Sequence, residues 1–281
     1  MSVCKYCGQK AGWFSDAHEE CVQKFQQSIE SLKAATADAI VEGKSYDDVA
    51  ASLNGLIADA NIPQQDASAA FKQGWSNGAI TKSQKEPLCV DEYNAMHQFF
   101  KAAGITPEDM VKFPGYVQSS FSFMLWGVLH GQILEYDGPV RFNLQPGEQR
   151  VFGFGSMILY EEKATSSYVG GYSGMSVRVA RGMYYHFGGM KGQRVQTSSL
   201  QEVDYGQALI TSHNFYFSGD KANFRIPYNQ VIRFEPYTDG IGIATNHGKK
   251  QLFVVYGLED CGWFLYNVMQ ALANPEVQTK P

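Results

Sequence analysis

The spacing of apolar positions changes period near residue 147. Between residues 16 and 43, Val22, Phe25, Ile29, Leu32 and then Ala35 or Ala39 with Ile40 recur at helical spacing. That pattern predicts one amphipathic helix stopped by Gly43. Ser45 and Asp48 form a capping box ahead of a helix carrying Val49, Leu53, Leu56 and Ile57. Pro63 opens a third helix, with Ala67, Ala70, Phe71 and Trp75 on its apolar face. A fourth covers residues 90–103 and ends at Gly104, and Thr106, Pro107, Glu108 and Asp109 combine cap, proline and acidic first turn to open a short fifth. Residues 121–134 predict one more buried helix, although an apolar run of that kind has no period that excludes a strand.

Beyond Gly147 the alternation is of period two. It predicts strands over 149–154, 157–163, 176–180, 183–187, 207–212, 214–218, 222–227, 231–235, 240–245 and 251–256. Turn residues separate them at Gly219 and Asp220, at Asp239 and Gly240, and at Asn246 to Gly248. Many short strands at regular spacing predict a barrel or sandwich. After Asp260, residues Cys261, Leu265, Val268, Met269 and Leu272 make one apolar stripe, which predicts a closing amphipathic helix.

Composition narrows the class. Charged residues are 18% of the chain and aromatic residues 14%, a balance that excludes intrinsic disorder. The first ten residues hold no apolar core of a secretory signal, and no apolar run is long enough for a membrane span, so a cytoplasmic protein without a transmembrane segment is expected. The net charge of -5 argues against nucleic acid as a partner. That charge is uneven: residues 1–164 are net acidic, whereas residues 165–255 are net basic. Solvated faces account for such an asymmetry, and so does an acidic ligand of the later segment.

Five cysteines, an odd number, disfavour a disulfide framework. Three of them lie in the first 21 residues, where Cys4, Cys7, His18 and Cys21 follow the pattern C-x2-C-x10-H-x2-C. Two close pairs of thiol and imidazole donors suit tetrahedral Zn2+. Gly8 supplies the backbone freedom that the first pair needs for a tight turn. Ser15 or Asp16, with Glu19, predicts a helix start that puts His18 and Cys21 on one face of the first turn. A knuckle followed by a helix bearing the other two ligands is a treble-clef-like layout, with Trp13 and Phe14 placed to cover it. Four protein ligands leave no open position, so the expected role of the ion is structural. Cys89 and Cys261 stand alone and are expected in the core.

Outside the metal motif, the densest basic cluster is Arg178, Arg181, Lys191 and Arg194, next to the glycines Gly170, Gly171 and Gly174. Together they make a candidate ligand-binding surface. The glycines are not a P-loop, because no Gly-Lys-Ser/Thr follows and a strand comes next. His186, His213 and His247 are isolated, no triad is legible, and no catalytic residue is assigned.

Residues 207–219 (QALITSHNFYFSG), Phe224 to Tyr228 and Ile232 resemble the strands of bacterial PH-like and GRAM-like domains. Residues 168–178 and 181–185 resemble uncharacterised bacterial proteins that join a small zinc motif to such a domain. The resemblance covers about 145–273 and implies a binding module. It does not imply a ligand, since one fold hosts many functions. The expected architecture is α+β: a zinc-binding treble-clef-like motif over 1–24, a helical region over 25–138, and a PH-like antiparallel β-barrel over 139–281 closed by the C-terminal helix. The expected function is that of a non-enzymatic binding or adaptor protein. A protein partner leads, an anionic lipid headgroup is second, and a nucleic-acid-associated zinc-finger factor is the alternative reading.

Overall fold

The computed structural model describes residues 2–12, 15–134, 136–138, 142–162, 171–172, 175–180, 183–187, 190–191, 200–246 and 250–274, with the backbone alone between 162 and 200. Helices come first: α1 (Glu19–Glu42), α2 (Tyr46–Asp59), α3 (Gln64–Ser83), α4 (Val90–Ala102), α5 (Pro107–Met110) and α6 (Pro114–Leu129). Strands follow: β1 (Arg150–Glu162), β2 (Gly171–Tyr172), β3 (Met175–Ala180), β4 (Met183–Phe187), β5 (Met190–Lys191), β6 (Leu200–Thr211), β7 (Asn214–Gly219), β8 (Asn223–Pro227), β9 (Val231–Tyr237), β10 (Gly240–Thr245) and β11 (Gln251–Val255). A single 3-10 turn, Tyr228–Gln230, joins β8 to β9, and α7 (Gly262–Ala273) ends the described chain. Two compact units result, Met1–Ser120 and Phe121–Pro281, and the division falls inside α6.

In the first unit the caps set the helix ends. The Ser45 hydroxyl accepts the Asp48 N–H and the Asp48 carboxylate accepts the Ser45 N–H at 3.0 Å, closing the capping box of α2. Gly43 sits at φ 72° and lets Lys44 N–H reach the Ala39 carbonyl, which ends α1. The core is aromatic. Phe71 stacks on Phe99 with centroids 5.5 Å apart, Trp75 meets Phe100 edge-on, and the buried Trp75 indole donates to the Met96 carbonyl at 2.9 Å. Helices α1 and α3 touch backbone to backbone: a methyl at Gly74 would lie 2.5 Å from the Lys33 carbonyl oxygen, and one at Gly78 would lie 2.7 Å from that of Ala37.

Helix α6 starts seven residues before the apolar run that predicted it. Pro114 is its first residue, and its opening turns bury polar Gln118, Ser119 and Ser122, which apolar periodicity does not register. It stops at Leu129 rather than 134, because Gly131 takes φ 68° and Gln132 N–H bonds back to the Gly127 carbonyl.

In the second unit seven strands form one curled antiparallel sheet in the order β8-β7-β6-β1-β11-β10-β9. β1 is the shared strand. It pairs with β6 along its length, from Arg150↔Thr211 to Glu162↔Leu200, and its later half also pairs with β11, as in Met157↔Val255. The two segments expected at 149–154 and 157–163 are this one strand, with an irregularity between Phe154 and Met157 that bends it from one neighbour toward both. Phe215 and Phe253 pack at 4.8 Å, and Phe121 stacks on Phe264 of α7 at 4.1 Å. Nearly all of α7 is buried. On the other side of the sheet Tyr136, Phe142 and Leu144 pack on Leu209 and Tyr216. That second layer explains why β7 buries four successive residues instead of alternating. Two short ladders, β2-β5 and β3-β4, lie within the connection from β1 to β6 and outside the seven-stranded order. Among the described residues no helix is long and apolar enough to cross a membrane.

Candidate metal centre

Residues 2–12 form a tight knuckle. Gly8 adopts φ 71°, its N–H donates to the Cys4 carbonyl at 2.9 Å, and Cys4 N–H donates to the Gln9 carbonyl at 2.7 Å. Val3 and Lys10 form an isolated antiparallel bridge beneath the turn. Cys4 is buried at 1% exposure, while Cys7 is exposed.

The second ligand pair sits differently from the expected one. α1 begins at Glu19, so His18 is its N-cap, with extended backbone, and Cys21 lies in the first turn. Asp16 is not the cap. Its carbonyl accepts Lys5 N–H at 3.0 Å and its carboxylate pairs with the Lys5 ammonium at 3.5 Å, so the knuckle engages Asp16 before the helix starts. His18 and Cys21 still face the same point, and Cys21 N–H donates to the His18 carbonyl.

The structure brings the four ligand residues together. Donor atoms of Cys4, Cys7, His18 and Cys21 all lie within 4.8 Å of one another. His18 Nδ1 is 3.4 Å from Cys7 Sγ and 3.7 Å from Cys21 Sγ. The other ring nitrogen, Nε2, is 3.0 Å from the Lys10 carbonyl oxygen. A carbonyl only accepts, so Nε2 donates to it, and Nδ1 is directed at the sulfurs of Cys7 and Cys21. This is how an imidazole is oriented when it ligates a metal through one nitrogen and anchors the other. Metal–sulfur bonds of about 2.3 Å in a tetrahedron space the donors somewhat under 4 Å apart. The set is already near that size, and its soft donors fit a metal ion.

The thiols are not equivalent. Desolvation raises the Cys4 thiol, yet backbone hydrogen bonds from Cys7, His18 and Tyr6 outweigh it and bring it down to about 6. Desolvation, then hydrogen bonds and charge from Cys7 and Cys4, push Cys21 up to about 11. Three thiolates this close repel one another unless a cation lies among them. Tyr6 packs on Phe25 at 4.8 Å and ties the knuckle to the start of α1.

Trp13 and Phe14, expected as the cover of the site, lie outside the described residues, as do Gly170, Gly174, Arg181 and Arg194. Gly171 and Lys191 are register partners in the β2-β5 ladder, and Arg178 on β3 pairs with Tyr184 on β4. Of the two lone cysteines, Cys261 is buried as expected. Cys89 is half-exposed at the N-cap of α4, where its N–H donates to the Glu92 carboxylate at 3.1 Å. The Lys10 carbonyl leaves no signal in the sequence, because any residue supplies a backbone oxygen. No family model matches the chain, and no curated protein matches it.

Proposed function

We propose that this protein is a non-enzymatic binding or adaptor protein: a structural zinc ion braces its N-terminus and a PH-like β-domain offers the partner surface. The observation that carries the zinc reading is the closed donor set. Four protein ligands converge, with His18 Nδ1 aimed inward and Nε2 anchored on Lys10. A closed tetrahedral site has no position for substrate, which supports a structural role. The treble-clef-like reading rests on the knuckle with its bridge, followed by a helix carrying Cys21.

The PH-like reading is supported by the antiparallel strand order, with β1 shared between two halves, and by a buried amphipathic helix after the last strand. On this reading α7 closes the open side of the curled sheet. We assign the partner surface to the connection between β1 and β6, which holds Gly170, Gly171, Gly174, Arg178, Arg181, Lys191 and Arg194. Its excess of positive charge favours an acidic protein segment.

Two experiments test this. Metal analysis of protein purified without chelator is expected to give one zinc per chain in wild type and a severe loss in Cys21→Ser; metal-free wild type refutes the zinc reading. Affinity capture with wild type and with the Arg178→Ala/Arg181→Ala double variant is expected to recover a partner that the variant loses. Flotation of wild type with anionic vesicles, abolished in that variant, would move the assignment to a lipid headgroup.

A further inference from the structure

The second unit also carries a surface pocket of about 520 Å³. The turn at 145–148, the tip of the β6-β7 hairpin, the 3-10 turn and the last residues of α7 line it, and it is open to solvent. Its volume lies in the range of small-molecule sites.

Glu148 forms part of the wall and is half-buried. One carboxylate oxygen accepts the Asn214 amide at 2.7 Å and the Thr211 hydroxyl. The other accepts the Tyr216 hydroxyl at 2.7 Å and the Gln145 N–H at 2.8 Å. Burial raises the Glu148 carboxyl, but these donors outweigh it and hold the group below the usual range. Among the described residues no basic nitrogen lies in ion-pair reach of it. Its four acceptor sites are thus filled by neutral protein donors, and a negative charge without a cationic partner lies in the wall of the pocket. α7 ends there with Leu272 and Ala273 and has no basic residue in its last turn, so its carbonyl end adds to the negative potential.

The opposite sign is also present. Arg225 on β8 lines the pocket and is the register partner of Tyr216. Tyr216, whose hydroxyl donates to Glu148, is thus paired across the β7-β8 ladder with Arg225. A simple anion would meet Glu148 and the carbonyl end of α7, and a simple amine would leave Arg225 unused. We propose that the cavity binds a small zwitterion of the α-amino-acid class, its ammonium toward Glu148 and the end of α7 and its carboxylate toward Arg225. Pro146, Pro227 and Leu272 supply an apolar wall, so a hydrocarbon side chain is favoured over none.

Isothermal titration of the full chain with leucine, glycine, isoamylamine and 4-methylpentanoate tests this. Saturable binding of leucine is expected, at least about tenfold tighter than either single-ended analogue and tighter than glycine, since each single-ended analogue forfeits one of the two opposite attractions. Arg225→Gln, on the exposed side of β8, is expected to weaken leucine about tenfold and to erase its advantage over isoamylamine. Glu148→Gln is expected to weaken leucine and isoamylamine together. If Glu148→Gln does not fold, Arg225→Gln decides alone. No saturable heat from leucine, an isoamylamine affinity equal to that of leucine in wild type, or leucine binding unchanged in Arg225→Gln would each overturn the proposal.

Discussion

Alanine at Gly74 tests the α1–α3 contact with an unusual clarity of sign. By intrinsic propensity, glycine to alanine inside a helix stabilises by about 1 kcal/mol. At Gly74 the new methyl meets the Lys33 carbonyl oxygen at 2.5 Å, Thr36 Cβ at 2.8 Å and Lys33 Cα at 3.0 Å. Two of those atoms are backbone and cannot rotate away. Ordinary contact needs about 3.5 Å, so the helices must part locally by on the order of 1 Å. That separation loosens Leu32, Thr36, Ala39 and Ile40, all buried on α1. Overpacking of this kind costs about 1–3 kcal/mol, which exceeds the propensity gain at most of that range. Gly74→Ala is expected to lose up to about 2 kcal/mol net. Gly55 on α2, where an added methyl meets nothing within 4 Å, is the internal control. Gly55→Ala is expected to gain up to about 1 kcal/mol. Urea titration followed by far-ultraviolet circular dichroism reads both as shifts of midpoint at constant slope. If Gly74→Ala raises the midpoint as Gly55→Ala does, the close approach of α1 and α3 is wrong.

Three further outcomes are expected. Chelation of the metal-loaded protein should raise amide exchange in residues 2–18, whose described residues bury only Cys4 and Ala11 as apolar groups, and leave the exchange of α3 and α4 unchanged; hydrogen-exchange mass spectrometry reads the difference. Tyr228→Phe removes the hydroxyl that donates to the Thr211 and Asn214 carbonyls at 3.0 Å and should cost about 1–3 kcal/mol in thermal or urea unfolding. Stability should fall in two stages as pH drops. Burial lowers His97, so its contribution is full above about 6.5 and is lost as pH falls toward its depressed folded value; Asp204 and Glu148 are also lowered, so theirs is full above about 4 and is lost below it. His97→Phe should remove the first stage in acid titrations followed by circular dichroism and leave the second.

What the sequence made legible follows from how far apart the partners of each feature lie. All four metal donors fall within one short stretch, so spacing alone brought them forward. Ser45 and Thr106 announce helix starts because each cap is closed by a residue three positions on. Glu148 gave no such signal. Beside Pro146 and Gly147 it reads as an ordinary turn residue, and its partners Thr211, Asn214 and Tyr216 lie 63, 66 and 68 positions away. Asp204 is similar: it reads as a surface acid, yet it accepts the N–H groups of Tyr205, Lys221 and Ala222 and holds the β7-β8 turn. The N-cap of α1 was misplaced for a related reason. Asp16 is the better cap by residue type, but its contact with Lys5 lies outside any helix pattern.

The shared position of β1 has a consequence for how the chain is made. Its pairing with β6 can form once residue 211 is available, whereas its pairing with β11 waits until nearly the whole unit has emerged. Until then one flank of β1, with Met157 and Leu159 destined for full burial, is an unpaired strand edge. Contacts of such long sequence separation slow folding, and exposed edges invite association between chains. During synthesis the interval between β1 and β11 is therefore when this protein has most to gain from a chaperone that shields an open strand.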